Sequence, residues 1–202
     1  MAQDELHHGP LTETCLHLCI DMQNLFAGHT EWHTPWMTRV APMVERLAVA
    51  HPERTIFTRF IPADRPGEGT GTWRRYWERW PSLTREQLPE GAIDLLPPLQ
   101  RLVPPAELFD KKVYSPWVCG TLHPRLQERG IETLIISGAE TDVCVLAAVL
   151  GAVDLGYRVV VPTDAICSSS DHTHDAMLAL YNERYGQQVE AVTTELILRE
   201  WC

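Results

Sequence analysis

Residues 133–156 read TLIISGAETDVCVLAAVLGAVDLG, and the fold follows from how they divide. Thr133 to Ser137 is a nearly continuous apolar run, of the kind buried on both faces of a parallel sheet. A turn of small residues follows, then an apolar helix from about Asp142 to Leu155 that Gly156 ends. Working outward, short apolar or β-branched runs recur as strands at Leu16–Asp21, Arg54–Phe60 and Glu107–Lys111 upstream, and at Arg158–Val161 and Val189–Val192 downstream. Helical patterns separate them. In 35–50, Trp36, Val40, Met43, Val44 and Leu47 fall at three- and four-residue steps. The others are Thr72 to the Pro81 stop, His123–Arg129 before Gly130, His172–Tyr185 and a short terminal helix. Strand and helix alternate throughout, which predicts an α/β, three-layer α-β-α architecture with a six-stranded, mainly parallel sheet. With no repeat or linker, residues 1–202 read as one domain, of which 1–14 form a flexible N-terminal segment.

Composition narrows the function classes. The chain carries 17 Lys plus Arg against 27 Asp plus Glu, a net charge of −10. Without a basic run this disfavours nucleic acid and anionic membrane surfaces as partners. The longest apolar candidate, Val145–Val153, is far too short to span a bilayer. The N-terminus is polar and acidic, unlike a signal peptide, so the expected location is cytoplasmic. There the six cysteines (Cys15, Cys19, Cys119, Cys144, Cys167, Cys202) are expected to be reduced thiols. None forms a C-x-x-C pair, so each is by default a small buried hydrophobe.

In open parallel α/β sheets ligands bind beyond the carboxyl ends of the strands. Those ends offer Asp21 after the first strand, Lys111 after the third, and Cys144 in the first turn of the helix after the fourth. Each has an ordinary explanation alone: a turn residue, a surface charge, a core thiol. Together at one sheet edge they are a base, a cation and a nucleophile. With Thr141 as N-cap, Cys144 would feel the helix dipole and free backbone N–H groups, and Lys111 nearby; all three lower a thiol pKa. The same N–H groups would suit an oxyanion.

Three motifs in this order, CIDMQNLF around Asp21, DKKVYSPW around Lys111 and SGAETDVCVLAAVLGAVDLGYRVVVPTDA around Cys144, make the chain resemble the isochorismatase-like cysteine hydrolases over about residues 15–195. That superfamily includes nicotinamidases, carbamoylsarcosine amidases and ureidoacrylate-type amidohydrolases. The resemblance implies its Rossmann-like fold and a catalytic triad of Asp21, Lys111 and Cys144. The family spacing K-x-x-Y-S selects Lys111 over Lys112. It also implies a cis peptide at Ala139–Glu140, with the backbone N–H groups of Glu140 and Cys144 forming the oxyanion hole. The implied activity is hydrolysis of a C–N bond in a small amide or ureido/carbamoyl compound, through a thioester-type intermediate on Cys144. The small-molecule substrate is the expected partner, together with a second copy of the chain in a homo-oligomer (dimer or tetramer).

Departures from the family pattern bear on the alternatives. Metal-dependent nicotinamidases carry Asp-x-His after the second strand; here that stretch reads TRFIPADRPGEGTGTW (58–73), without any His. No metal and no cofactor are therefore expected, and His172 and His174 read as surface or capping residues. Isochorismatases, which cleave a vinyl ether, commonly lack the Cys, so Cys144 favours C–N hydrolysis. The competing readings are a vinyl ether hydrolase, a metal-dependent nicotinamidase-like amidase, and a non-catalytic binding protein on the same fold. For the substrate pocket the candidates are Phe26 and Trp117, beside the catalytic motifs, Arg59 at the end of the second strand, and Trp73. Trp73 shares one helix face with Tyr76, Trp77 and Trp80, a face that equally fits core or a subunit contact. Glu140 either recognises a substrate amine or points into a subunit interface.

Overall fold

A computed structural model of the chain describes residues 5–201; Cys202 lies outside them. The strands are β1 (Cys15–Ile20), β2 (Thr55–Phe60), β3 (Glu107–Lys111), β4 (Thr133–Ala139), β5 (Arg158–Pro162), β6 (Ile166–Cys167) and β7 (Val189–Val192). The helices are α1 (Asn24–Ala27), α2 (Met37–Ala50), α3 (Thr72–Arg79), α4 (Pro97–Gln100), α5 (Leu122–Glu128), α6 (Leu146–Asp154), α7 (Asp171–Glu183) and α8 (Thr194–Glu200). A π-helical turn, Thr141–Val145, leads into α6.

The strands form a parallel sheet in the order β3-β2-β1-β4-β5-β7, with the two-residue β6 pairing at the end of β4. This is the expected six-stranded sheet plus one short strand. β6 is too short for hydrophobic periodicity to reveal it. The single turns α1 and α4 escape the sequence pattern for the same reason.

Side chains alternate across the sheet, as strand geometry requires. Cys15, Cys19, Phe57, Ile135 and Val160 face one layer, where Val44 and Leu47 of α2 and Ile197 of α8 cover them. Leu16, Leu18, Leu134, Ile136 and Val159 face the other, under Leu126 of α5, Val149 of α6 and Tyr181 of α7. Both faces are covered, which is why β1 and β4 are buried along their whole length.

Of the segment 1–14 expected to be flexible, residues 1–4 lie outside the described residues. Leu11 is buried and its N–H donates to Glu200 O at 3.0 Å. Arg158 donates to Gly9 O (2.8 Å) and to the fully buried Glu190 carboxylate (2.7 Å), tying the incoming chain to β5 and β7. An ion pair across the sheet edge is a contact that no local sequence pattern announces.

Chain order reverses between β1, which continues to β2, and β4, which continues to β5. A crevice opens at such a switch point, beyond the carboxyl ends. Gly138 allows the two strands to close there. Its φ is +107°, and a Cβ on it would stand 2.1 Å from Ile20 O, one residue before Asp21. Gly138→Ala is expected to cost roughly 3 kcal/mol or more, since it adds backbone strain to a collision with main chain. Urea unfolding measures this, and a variant within 0.5 kcal/mol of wild type (about the surface-substitution range) refutes it.

Candidate active site

Neighbouring strands supply the polar centre. Asp21 follows β1 at φ +49°, a left-handed conformation that Asp tolerates better than most side chains. Its Oδ1 accepts from Thr58 Oγ1 of β2 at 2.6 Å, and its Oδ2 accepts from Lys111 Nζ at the end of β3 at 2.5 Å. Thr58 Oγ1 also accepts the Asp21 N–H at 3.2 Å. Asp21 is 0% and Lys111 3% exposed. Burial opposes a charged Lys111, but the adjacent Asp21, by charge and by hydrogen bond, carries its pKa up. The resting centre is therefore an ammonium–carboxylate pair. Gln23 braces it from the side: Oε1 accepts from Phe60 N, and Nε2 donates to Phe60 O and Ile93 O.

Cys144 completes the group from across the switch point. It lies in the π-helical turn, 6% exposed, where the charges of both Lys111 and Asp21 act on its thiol. Two expectations are corrected here. Thr141 is not an N-cap: Glu140 occupies that position without a side-chain cap, and its carbonyl accepts from Val143 N and Val145 N. The Thr141 hydroxyl is instead hydrogen-bonded with His174 Nδ1 at 2.8 Å. Nor is the thiol acidified. Burial pushes its pKa well above the ordinary value; Lys111 pulls it back only in part, and Asp21 adds to the rise. The cation that was expected to favour a thiolate already serves the Asp21 carboxylate.

The Ala139–Glu140 bond is cis. Glu140 and Cys144 line one small cavity of about 50 Å³ together with Val143. The rest of its wall is aromatic: Phe26, Trp32, Phe60, Tyr76 and Tyr114. Trp32 organises that wall. Its ring centroid is 6.1 Å from Phe26, 5.9 Å from Phe60 and 5.7 Å from Tyr76.

Of the sequence candidates for the pocket, Phe26 lines it and three do not. Arg59 forks onto Asp110, with hydrogen bonds of 2.8 and 2.9 Å, and stands 3.7 Å from Asp94. Arg59 and Asp110 are register partners in the β2–β3 ladder, so the ion pair comes with the strand pairing. Trp73 sits behind the wall, packed edge-on to Tyr114 at 5.0 Å, and lines a separate cavity with Lys112 and Val113. Trp117 turns onto α6. Its Nε1 donates to Ala148 O at 2.9 Å, its ring stacks on Tyr157, and Gly151 leaves the room a Cβ would take 2.2 Å from Trp117 Cδ1. The sequence reading missed Trp32, Phe60, Tyr114 and Thr58, and left Tyr76 within the shared aromatic face. Only Tyr114 had a usable signal, three residues after Lys111 in the motif.

Among the described residues no group of three or more His, Cys, Asp or Glu stands close enough together to hold a metal ion. Also among the described residues, no helix is long and apolar enough to cross a membrane.

Comparison with known proteins agrees with this architecture. The isochorismatase domain model matches residues 15–195. Isochorismatase family protein 1A of Dictyostelium discoideum is 34% identical over 89 residues, 44% of this chain and 41% of the relative. Maleamate amidohydrolase of Pseudomonas putida is 26% identical over 82 residues, 41% of this chain and 38% of the relative. The matched stretch thus spans about two fifths of these relatives' length. A crystal structure of a cysteine hydrolase from Pseudomonas syringae pv. phaseolicola superposes with a TM-score of 0.78 at 20% identity, covering 99% of this chain and 98% of that one. N-carbamoylsarcosine amidase from Thermoplasma acidophilum gives 0.71 at 17% identity, covering 90% and 96%. At these identities the structural likeness concerns the fold.

Proposed function

The chain belongs to the isochorismatase family, and from that premise we propose that it is a cysteine hydrolase cleaving the C–N bond of a small amide or ureido/carbamoyl compound. One observation carries the reading: a buried Lys111–Asp21 ion pair beside the Cys144 thiol, at the carboxyl edge of the sheet. A thiol held neutral needs a base at the moment of attack, and a carboxylate beside it is one.

The steps follow from these groups. Asp21 takes the Cys144 proton as Sγ bonds to the carbonyl carbon, and the carbonyl π electrons move to oxygen. The backbone N–H groups of Glu140 and Cys144 receive that oxyanion. Collapse breaks the C–N bond, and the leaving amine takes the proton from Asp21. Asp21 then accepts a proton from water as it attacks the thioester. Collapse of that second intermediate breaks the C–S bond, Sγ takes the proton back from Asp21, and the acid product leaves. Lys111 remains an ammonium throughout and pairs with the Asp21 carboxylate before and after each proton transfer.

A panel of primary amides, ureido compounds and nicotinamide, assayed for ammonia release with Cys144→Ala as control, tests the reading. Turnover by wild type alone supports it; ammonia release that persists in Cys144→Ala overturns it. Activity is expected to survive excess EDTA unchanged. A loss reversed by added divalent metal would assign the chain to the metal-dependent nicotinamidase branch instead.

A further inference from the structure

Charge within the pocket separates possible substrates. None of its lining residues, among those described, is Arg, Lys or His. Lys111 is paired with Asp21, although its charge reaches Tyr114 of the wall and opposes the rise in that hydroxyl's pKa, and Arg59 is held away by Asp110. The one residue of charged type among its lining is Glu140. Both hydrogen bonds to that carboxylate, from Ser169 N at 2.9 Å and Thr34 Oγ1 at 3.4 Å, end on Oε1. Among the described residues Oε2 accepts none. The Glu140 charge also reaches the facing hydroxyls: it is one of the causes, after burial, that raise the pKa values of Tyr76 and Tyr114.

We infer that the pocket selects amides whose non-reacting end is uncharged or carries a hydrogen-bond donor, that it excludes those bearing a carboxylate, and that Glu140 is the residue that sets this choice. A substrate carboxylate here would meet a like charge, aromatic faces with negative π-clouds and no free cation. An N–H donor would have Glu140 Oε2 as its acceptor, the carboxylate oxygen that no described residue engages. This deepens the amidase reading by naming its substrate class, and it separates the chain from a relative named for maleamate.

The test uses two isosteric probes, maleamate and its diamide maleamide, which differ by a carboxylate against a second carboxamide. Binding to the Cys144→Ala protein is measured by titration calorimetry, so that no turnover intervenes. Maleamide is expected to bind at least ~10-fold more tightly, the scale of like-charge repulsion at a partly buried site. Glu140→Gln in the same background retains an oxygen for Ser169 and Thr34, and is expected to narrow the ratio at least ~5-fold. Equal affinities, an unmoved ratio in a folded Glu140→Gln protein, or binding of neither probe overturns the inference. If thermal melting shows Glu140→Gln unfolded, the ratio with Glu140 intact decides. Ammonia release by wild type is scored separately: the expected binding ratio without any amide turnover overturns the amidase reading and leaves the selectivity standing.

Discussion

Cys144→Ala is expected to lower kcat/KM by about 10⁴-fold or more, with little change in stability. The size follows from removing the nucleophile of a covalent mechanism, where groups act as a unit and loss of one is nearly loss of all. Little stability is at stake because Lys111 and Asp21 keep each other, at 2.5 Å, whether or not the thiol is present. Asp21→Asn is expected to be nearly as inactive, since an amide cannot take the thiol proton. The double variant should then be no slower than the worse single. Lys111→Ala differs in kind. It leaves Asp21 buried without its cation, so it should cost about 3–5 kcal/mol of stability as well as activity. Kinetics on the three singles and the double, with urea unfolding on each, separate these outcomes. Multiplicative losses in the double variant would refute a concerted role for the pair. An unchanged stability in Lys111→Ala would refute the buried ion pair.

Acid is expected to destabilise the fold through His17. This residue lies in the middle of β1, fully buried, with Nε2 paired to Ser137 Oγ at 2.7 Å. Its Nδ1 has no partner among the described residues. A doubly protonated ring would leave the Nδ1–H with nothing to accept it, and burial lowers the pKa from the ordinary 6.5 to about 3. Between those values the unfolded chain holds a proton that the folded one refuses. The contribution is therefore complete above pH 6.5 and is lost as the pH falls toward 3. At about 1.4 kcal/mol per pH unit, going from pH 6.5 to 4.5 removes roughly 3 kcal/mol. His17→Gln can still bond Ser137 and does not titrate. The stability gap between wild type and this variant, from urea unfolding at pH 7 and 4.5, should shift by that amount. A gap independent of pH would place the acid sensitivity elsewhere.

How far a sequence carries depends on whether the deciding interaction is local. The strand ends at Ile20 and Lys111, and the strand–turn–helix around Cys144, show in apolar runs and spacing because burial and turn chemistry act over a few residues. Thr58 was not legible. Its hydroxyl matters only because β2 lies between the strands bearing Asp21 and Lys111, and strand order is not a property of any one segment. Arg59 and Trp117 sit where a pocket wall would be guessed. Cross-strand pairing with Asp110 and the space over Gly151 turn them elsewhere.

Trp32, on the loop between α1 and α2, has no pattern of its own, yet it touches Phe26, Phe60 and Tyr76 from three parts of the chain. What the sequence by itself determined is the parallel α/β architecture, the family, and the three residue types gathered at the carboxyl edge of the sheet. The architecture rests on hydrophobic periodicity, the three residues on their places at strand ends, and the family on the resemblance of the motifs around them. What only the tertiary structure decided is which aromatics enclose the cavity and that the Cys144 thiol rests neutral. The first depends on side chains meeting across long sequence separations. The second is the balance of desolvation against two opposite charges, and that balance exists only once the chain has buried all three groups together.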